Sequence, residues 1–148
     1  IQERAEWMAA APEDPVENLP RWFEMAARDP EWVRLLEWEA LQWKDQPVID
    51  EAHRREAFAR TVARIQRRQA EGFLSPHFDA AHLLLALMAL AAYPLAFPQL
   101  ARLATGLAVS DPAFQQQRIC FLRQFAAAFR AQAAPAPASE ALRTKKEL

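Results

Sequence analysis

The chain has little of what tight turns, strands and disulfides require. Its 148 residues include only two glycines, Gly72 and Gly106, and one cysteine, Cys120. A single cysteine excludes a disulfide within the chain and suits a reducing compartment. Ala, Leu, Arg, Glu and Gln are abundant instead, and these residues favour helices over strands. The sequence therefore predicts an all-α fold and a cytoplasmic location.

A strong net charge is also lacking. The formal net charge is -1, which gives no electrostatic reason to expect a polyanionic partner or an anionic membrane surface. No basic segment followed by an apolar stretch opens the chain, so we expect no secretory signal.

The apolar stretch that starts at Leu83 has no charged side chain before Arg102 and raises the question of a membrane span. A spanning helix needs about 20 mostly apolar residues, so length alone nearly qualifies it. Pro94 and Pro98 interrupt the stretch, and each removes a helix donor and clashes with the preceding turn. Because amphipathic segments surround it, we interpret the stretch as a buried helix that breaks near Pro94, with no membrane role.

Residues that are typical of helix starts and ends divide the chain into six predicted helices. Asp-Pro pairs at residues 14–15, 29–30 and 111–112 each place a capping carboxylate before a proline suited to the first helical position. The two glycines suit the left-handed position that ends a helix. Residues 1–132 should form one antiparallel helical bundle, and the Ala/Pro-rich, then charged, residues 133–148 an extension without its own core. The predicted helices cover residues 1–11, 15–28, 30–45, 49–71, 79–105 and 112–132.

An ordered series of features resembles a known family. It begins with DPEWVRLLEWEAL at residues 29–41, followed by a long Arg/Glu/Gln helix that ends in Glu-Gly. The connector FLSPHFD, an apolar helix interrupted by Tyr-Pro, and SDPAFQQQRICFLRQF at residues 110–125 complete it. In this order the features resemble the C-terminal ligand-binding and dimerisation domain of TetR-family transcriptional regulators.

The resemblance implies a division of labour within a longer protein. An N-terminal helix-turn-helix head, absent from this chain, would bind operator DNA, while the helical body dimerises and senses a small molecule. The resemblance implies no enzymatic activity and no bound cofactor. Because the family has no shared ligand motif, binding residues must be inferred from this sequence alone.

Aromatic side chains and one carboxylate on the predicted helix faces suggest a ligand site. All five tryptophans lie at or before Trp43, and small-molecule pockets are mostly apolar with few polar anchors. Glu39 either pairs with an arginine of the fourth predicted helix or anchors a ligand, because a buried unpaired carboxylate is strongly unfavourable. For the apolar candidates the alternative is core packing. The predicted ligand-binding residues are Trp22, Leu36, Glu39, Trp43, Phe58, Met88 and Tyr93.

A phenylalanine stripe in the last helix suggests self-association. A chain of this length has little room to enclose one apolar helix and also to cover this stripe. Pairing the fifth and last helices of two copies as a four-helix bundle would cover both surfaces. A Phe125→Glu variant should then be monomeric, because the charge would enter a desolvated seam. The predicted dimer-interface residues are Leu84, Leu87, Phe121, Leu122, Phe125 and Phe129.

A possible metal-ligand group and the single cysteine are both interpreted as structural residues. His77, Asp79 and His82 are of metal-ligand type, but Asp79 is placed to cap the fifth helix, so we predict no metal site. Cys120 lies beside Phe121 and Leu122 and is interpreted as a small core residue. Without a base in view for Cys120, no catalytic residue is predicted.

The sequence thus favours the effector-sensing and dimerisation domain of a TetR-like regulator. A small hydrophobic or amphipathic molecule would alter the spacing of the DNA-binding heads. The alternative is a free-standing helical module that dimerises or binds a hydrophobic ligand without a DNA role. An upstream helix-turn-helix in the full reading frame distinguishes the two.

Overall fold

The computed structural model describes residues 14–44 and 46–133, and within them the chain forms six helices and no strand. The all-α prediction is confirmed. The predicted helix over residues 1–11 and residues 134–148 of the extension lie outside the described residues. The helices are α1 (Leu19–Arg28), α2 (Pro30–Gln42), α3 (Glu51–Ala70), α4 (Ala80–Ala96), α5 (Pro98–Thr105) and α6 (Pro112–Ala133).

Two of the three Asp-Pro pairs begin helices as predicted. Asp29 accepts a hydrogen bond from the Trp32 backbone N–H at 3.1 Å, and α2 starts at Pro30. Asp111 accepts one from the Ala113 N–H at 2.8 Å, and α6 starts at Pro112. In both cases the carboxylate satisfies a donor that has no partner within the helix.

The third pair behaves differently, and the predicted start of α1 is wrong by four residues. Asp14 accepts a hydrogen bond from the Val16 N–H at 2.9 Å and so closes a turn, while α1 begins only at Leu19. The Asp14 side chain is 2% exposed, and its second oxygen lies 3.9 Å from Nη2 of Arg68, near the end of α3. The carboxylate therefore ties the first described turn to α3.

Both glycines adopt the predicted left-handed conformation just beyond a helix. The φ angles are +79° at Gly72 and +76° at Gly106, and side chains with a Cβ rarely adopt such values. The Gly106 N–H donates to the Arg102 carbonyl at 2.8 Å, which satisfies one of the last free acceptors of α5.

The break in the apolar segment lies later than predicted. Helix α4 continues through Pro94 and ends before Phe97, whose N–H donates to the Tyr93 carbonyl at 2.9 Å. Phe97 adopts φ -123° and ψ 64°, outside the helical region, as expected for a residue that precedes a proline. The proline that breaks the segment is therefore Pro98, and α5 turns away from α4 by 85°.

Among the described helices, none is long and apolar enough by itself to cross a membrane. The combination of α4 and α5 passes that test of length and composition only as a pair with the 85° bend between them.

Helix α4 occupies the centre of the bundle and packs against α1, α2, α3 and α5, while α1 also packs against α6. Only one face of α4 is covered, because Leu85 remains 58% exposed, Met88 36% and Tyr93 50%. The sequence predicts that a second copy of the chain covers the open face of α4, and this stays a prediction. The buried apolar cluster comprises Val16, Leu19, Phe23, Ile65, Leu74, Ala80, Leu83, Leu84, Leu87, Ala91, Phe114, Leu122 and Ala126.

Candidate functional site

An ion pair joins α2 to α3. Nη1 of Arg54 donates to Oε2 of Glu39 at 2.7 Å, and the two side chains are 33% and 24% exposed. Of the two roles predicted for Glu39, the pairing with an arginine of the following helix is confirmed. Partial burial strengthens the attraction between these charges relative to a fully hydrated surface pair.

Apolar side chains accompany the ion pair on both helices. Leu36 precedes Glu39 by one helical turn, Trp43 follows the end of α2, and Phe58 follows Arg54 by one turn of α3. The three side chains are 39%, 57% and 45% exposed, respectively. The Trp43 indole N–H donates to the Gln46 carbonyl at 2.6 Å. Leu36, Glu39, Trp43, Arg54 and Phe58 are called the α2–α3 site below.

The other predicted ligand residues lie on different helices. Trp22 of α1 is half-buried and packs against the central apolar cluster. Met88 and Tyr93 lie on the open side of α4, where the Tyr93 ring centroid is 4.9 Å from that of Phe97 at the bend. Because α2 packs against both α1 and α4, these residues belong to helices that neighbour the α2–α3 site.

A surface groove of about 820 Å³ lies along α5 and the loop that follows it. None of the predicted ligand-binding residues lines this groove. Its lining residues are Pro98, Gln99, Arg102, Leu103, Gly106, Ala108, Val109 and Ser110.

The predicted dimer-interface residues divide into two groups. Leu84, Leu87 and Leu122 are 4%, 1% and 0% exposed, so the protomer's own core already covers them. These three residues are reassigned to the core. The helical spacing of apolar residues identifies an apolar face, but it does not show which element covers that face. Phe121 is 44% exposed, while Phe125 and Phe129 are partly buried against the core.

Three of the four phenylalanines of α6 form a continuous row. Ring centroids are 6.4 Å apart between Phe121 and Phe125, and 5.9 Å apart between Phe125 and Phe129. The row extends to Phe78 in the loop before α4, whose ring lies 5.8 Å from that of Phe129. The exposed Phe121 and Phe78 occupy the two ends of this row.

Arg118 is a polar residue of α6 that the sequence did not single out. Its Nη2 donates to the Leu90 carbonyl of α4 at 2.5 Å, and its Cζ lies 5.0 Å from the centre of the Phe121 ring. Desolvation by burial lowers the pKa of the Arg118 guanidinium. A charged side chain thus links the two helices that were predicted to dimerise.

Comparison with known proteins agrees with this all-helical architecture. The model of the tetracyclin repressor-like C-terminal domain family matches residues 14–136. The chain belongs to this family. The match includes all six described helices, and the resemblance inferred from the order of sequence features is confirmed.

A curated relative is similar to part of this TetR-like domain. It is the HTH-type transcriptional repressor SCO4008 of Streptomyces coelicolor, 33% identical over 95 residues, which are 64% of this chain and 50% of the relative. The TetR-like domain thus spans about half the length of the curated relative that it matches. No solved structure matches the chain significantly.

Of His77, Asp79 and His82, Asp79 has a structural role in this TetR-like domain. Asp79 caps α4, because Oδ1 accepts hydrogen bonds from the Ala81 N–H at 3.0 Å and the His82 N–H at 2.9 Å. In the part of the chain that the structure describes, no three His, Cys, Asp or Glu side chains are grouped to hold a metal ion. Cys120 is exposed, so its interpretation as a core residue is wrong.

Removing the Asp79 cap should destabilise the TetR-like domain modestly. We expect Asp79→Ala to lower the free energy of unfolding by about 1 kcal/mol, because two N–H groups of α4 lose their acceptor. Asp79→Asn should retain most of the stability, since asparagine also caps helices well. Urea unfolding of both variants measures the difference, and equal losses would contradict a capping role.

Proposed function

We propose that this TetR-like domain senses a small hydrophobic or amphipathic effector and forms a homodimer. Binding of the effector alters the spacing of DNA-binding heads that lie outside this chain. Membership of the family supports a ligand-binding and dimerisation role, and the relative is named as an HTH-type repressor. The proposal includes a cytoplasmic location and no enzymatic activity.

The α2–α3 site is the observation that supports effector binding best. Partly exposed apolar side chains lie one helical turn from the partly buried ion pair. Ligand sites likewise combine a mostly apolar lining with few polar groups. Leu36, Trp43 and Phe58 provide the apolar contacts, and the Glu39–Arg54 ion pair provides the polar groups. Trp22, Met88 and Tyr93 contribute from the neighbouring helices α1 and α4.

Helix α3 connects this site to the beginning of the described chain. Arg54 lies near its first turn, and Arg68 near its last turn approaches the buried Asp14. An effector that contacts α2 and α3 differently in two arrangements would shift their populations. The resulting displacement of α3 would reach Asp14, the junction with the segment that leads towards the heads.

A fluorescent amphipathic probe tests the effector site directly. We expect 1-anilinonaphthalene-8-sulfonate to bind the 148-residue chain and Phe58→Ala to weaken this binding about tenfold, which corresponds to the loss of one aromatic contact. Phe73→Ala is the matched control, because Phe73 lies beyond the opposite end of α3 and is 51% exposed, against 45% for Phe58. Fluorescence titration of both variants gives the dissociation constants.

The comparison between the two variants decides the location of the site. Equal affinities for Phe58→Ala and the unmodified chain would contradict the α2–α3 site. Weakening by Phe73→Ala alone would place the probe at the other end of α3. Far-ultraviolet circular dichroism verifies that both variants keep the helical fold, so that a change in affinity is not a change in folding.

The regulator proposal also makes a statement about the whole protein. The full reading frame should encode a helix-turn-helix segment upstream of Ile1, and distances between spin labels in the two heads should change on effector binding. A full reading frame without such a segment would favour the alternative, a helical dimeric or hydrophobic-ligand-binding module without a DNA role.

A further inference from the structure

Pro94 removes one backbone hydrogen bond from the interior of α4. In an α-helix each N–H donates to the carbonyl four residues earlier, and proline has no N–H to donate. The carbonyl that loses this donor is that of Leu90, and α4 nevertheless continues to Ala96. Leu90 is half-buried against the central cluster, where an acceptor without a donor is unfavourable.

Arg118 of α6 supplies a donor at this position. Its Nη2 lies 2.5 Å from the Leu90 oxygen, although 28 residues separate the two along the chain. The buried part of the guanidinium has given up water, and burial lowers its pKa. A carbonyl oxygen binds an arginine side chain more weakly than a carboxylate does. The position of Arg118 is therefore best explained by the missing hydrogen-bond donor at the Leu90 carbonyl.

We infer that Arg118 is a positioning residue that replaces the hydrogen bond deleted by Pro94 and thereby fixes α6 against α4. The contact is a side chain of one helix bound to the backbone of the other, so it favours one register of the pair. A packed apolar contact tolerates sliding more readily, because it is not directional.

The register matters for the proposed dimer, and this part of the inference rests on the proposed function. Phe121 of α6 lies 5.0 Å from the Arg118 guanidinium, and Leu85 is exposed on α4. In a four-helix bundle, α4 and α6 must keep one relative position so that their exposed side chains fit those of the second copy. Without the Arg118 contact, the surface would persist but its geometry would vary.

A double-mutant cycle in the 148-residue chain tests the inference. Pro94→Ala restores an N–H opposite the Leu90 carbonyl, and so should make Arg118 dispensable at this position. We expect Arg118→Leu to lower the Tm by about 5 °C when residue 94 is proline, and by less than about 2 °C in the Pro94→Ala background. All Tm values are measured at one protein concentration.

Arg123→Leu is the matched control. Arg123 is an exposed arginine one turn and a half further along α6, and its substitution should shift the Tm equally in both backgrounds. An equal loss for Arg118→Leu in both backgrounds would overturn the inference, since packing or charge alone would then explain the residue. If Arg118→Leu fails to fold, recovery of folding in the double variant supports the inference and failure of both contradicts it.

Sedimentation equilibrium separates the inference from the proposed dimer. We expect Arg118→Leu to weaken dimerisation about tenfold and Pro94→Ala to restore most of the loss. A chain that is monomeric at every concentration would contradict the dimer, while the Tm cycle would still decide the role of Arg118. Coupling in the Tm without any effect on dimerisation would restrict Arg118 to the stability of the protomer.

Discussion

Leu84→Glu should leave the chain unfolded at room temperature. Leu84 is 4% exposed on the face of α4 that packs into the central cluster. Removing a buried leucine side chain costs about 2–5 kcal/mol, and an unpaired buried carboxylate adds several kcal/mol. A domain stability of about 5–15 kcal/mol leaves little or nothing after both losses.

Circular dichroism measures this outcome as loss of the helical signal and of a cooperative thermal transition. The control is Leu84→Met, which conserves volume and apolar character and should cost less than about 1.5 kcal/mol. A Leu84→Glu chain that melts cooperatively near the unmodified Tm would contradict the assignment of Leu84 to the protomer core. Such a result would return this residue to the dimer interface, where the sequence placed it.

Local sequence rules predicted the fold well where one residue determines the structure. Asp29 and Asp111 cap their helices, and Gly72 and Gly106 follow helix ends, because the hydrogen bond or the φ value depends on the residue itself. The same rule failed at Asp14, since Arg68 approaches from a distant part of the chain and a turn competes with the helix.

The location of the break in the apolar segment shows a second limit of local rules. Both Pro94 and Pro98 disfavour a helix, and the sequence alone ranked Pro94 first. Helix α4 continues past Pro94 because packing and a donor from α6 compensate there. Counting four residues back from Pro94 identifies the Leu90 carbonyl as the one without a donor. The sequence alone does not show that Arg118 supplies the replacement donor, because that contact depends on how α6 lies against α4.

The sequence predicted the types of residue in the candidate site better than it predicted which of them lie together. An arginine partner for Glu39 was among the stated alternatives, but the sequence did not distinguish Arg54 from the other arginines of α3. Leu84, Leu87 and Leu122 were assigned to a partner surface because an apolar stripe looks the same whichever element covers it. Burial within the protomer becomes known only after α1 is placed against α4 and α6.

The neighbouring residue supplies the second large prediction. Leu85 is 58% exposed, although it adjoins Leu84, because successive residues of a helix point about 100° apart. We expect Leu85→Glu to keep the helical fold and Tm of the protomer but to weaken dimerisation at least about 100-fold, since the carboxylate would be desolvated at the proposed interface without a partner. Phe121→Glu on α6 should act in the same way, and more cleanly than Phe125→Glu, because Phe125 also packs against the protomer core.

Sedimentation velocity across a range of concentrations measures this change, and Leu41→Glu serves as the control. Leu41 is 80% exposed on α2, a helix that is not part of the proposed α4–α6 interface, so the same substitution there should leave the dimer intact. Unchanged sedimentation of Leu85→Glu would remove α4 from the interface, and weakening by Leu41→Glu would transfer the interface to α2. Comparison of Leu84→Glu with Leu85→Glu therefore separates the two functions of one apolar helix, because a charge at the first position prevents folding and a charge at the second prevents only association.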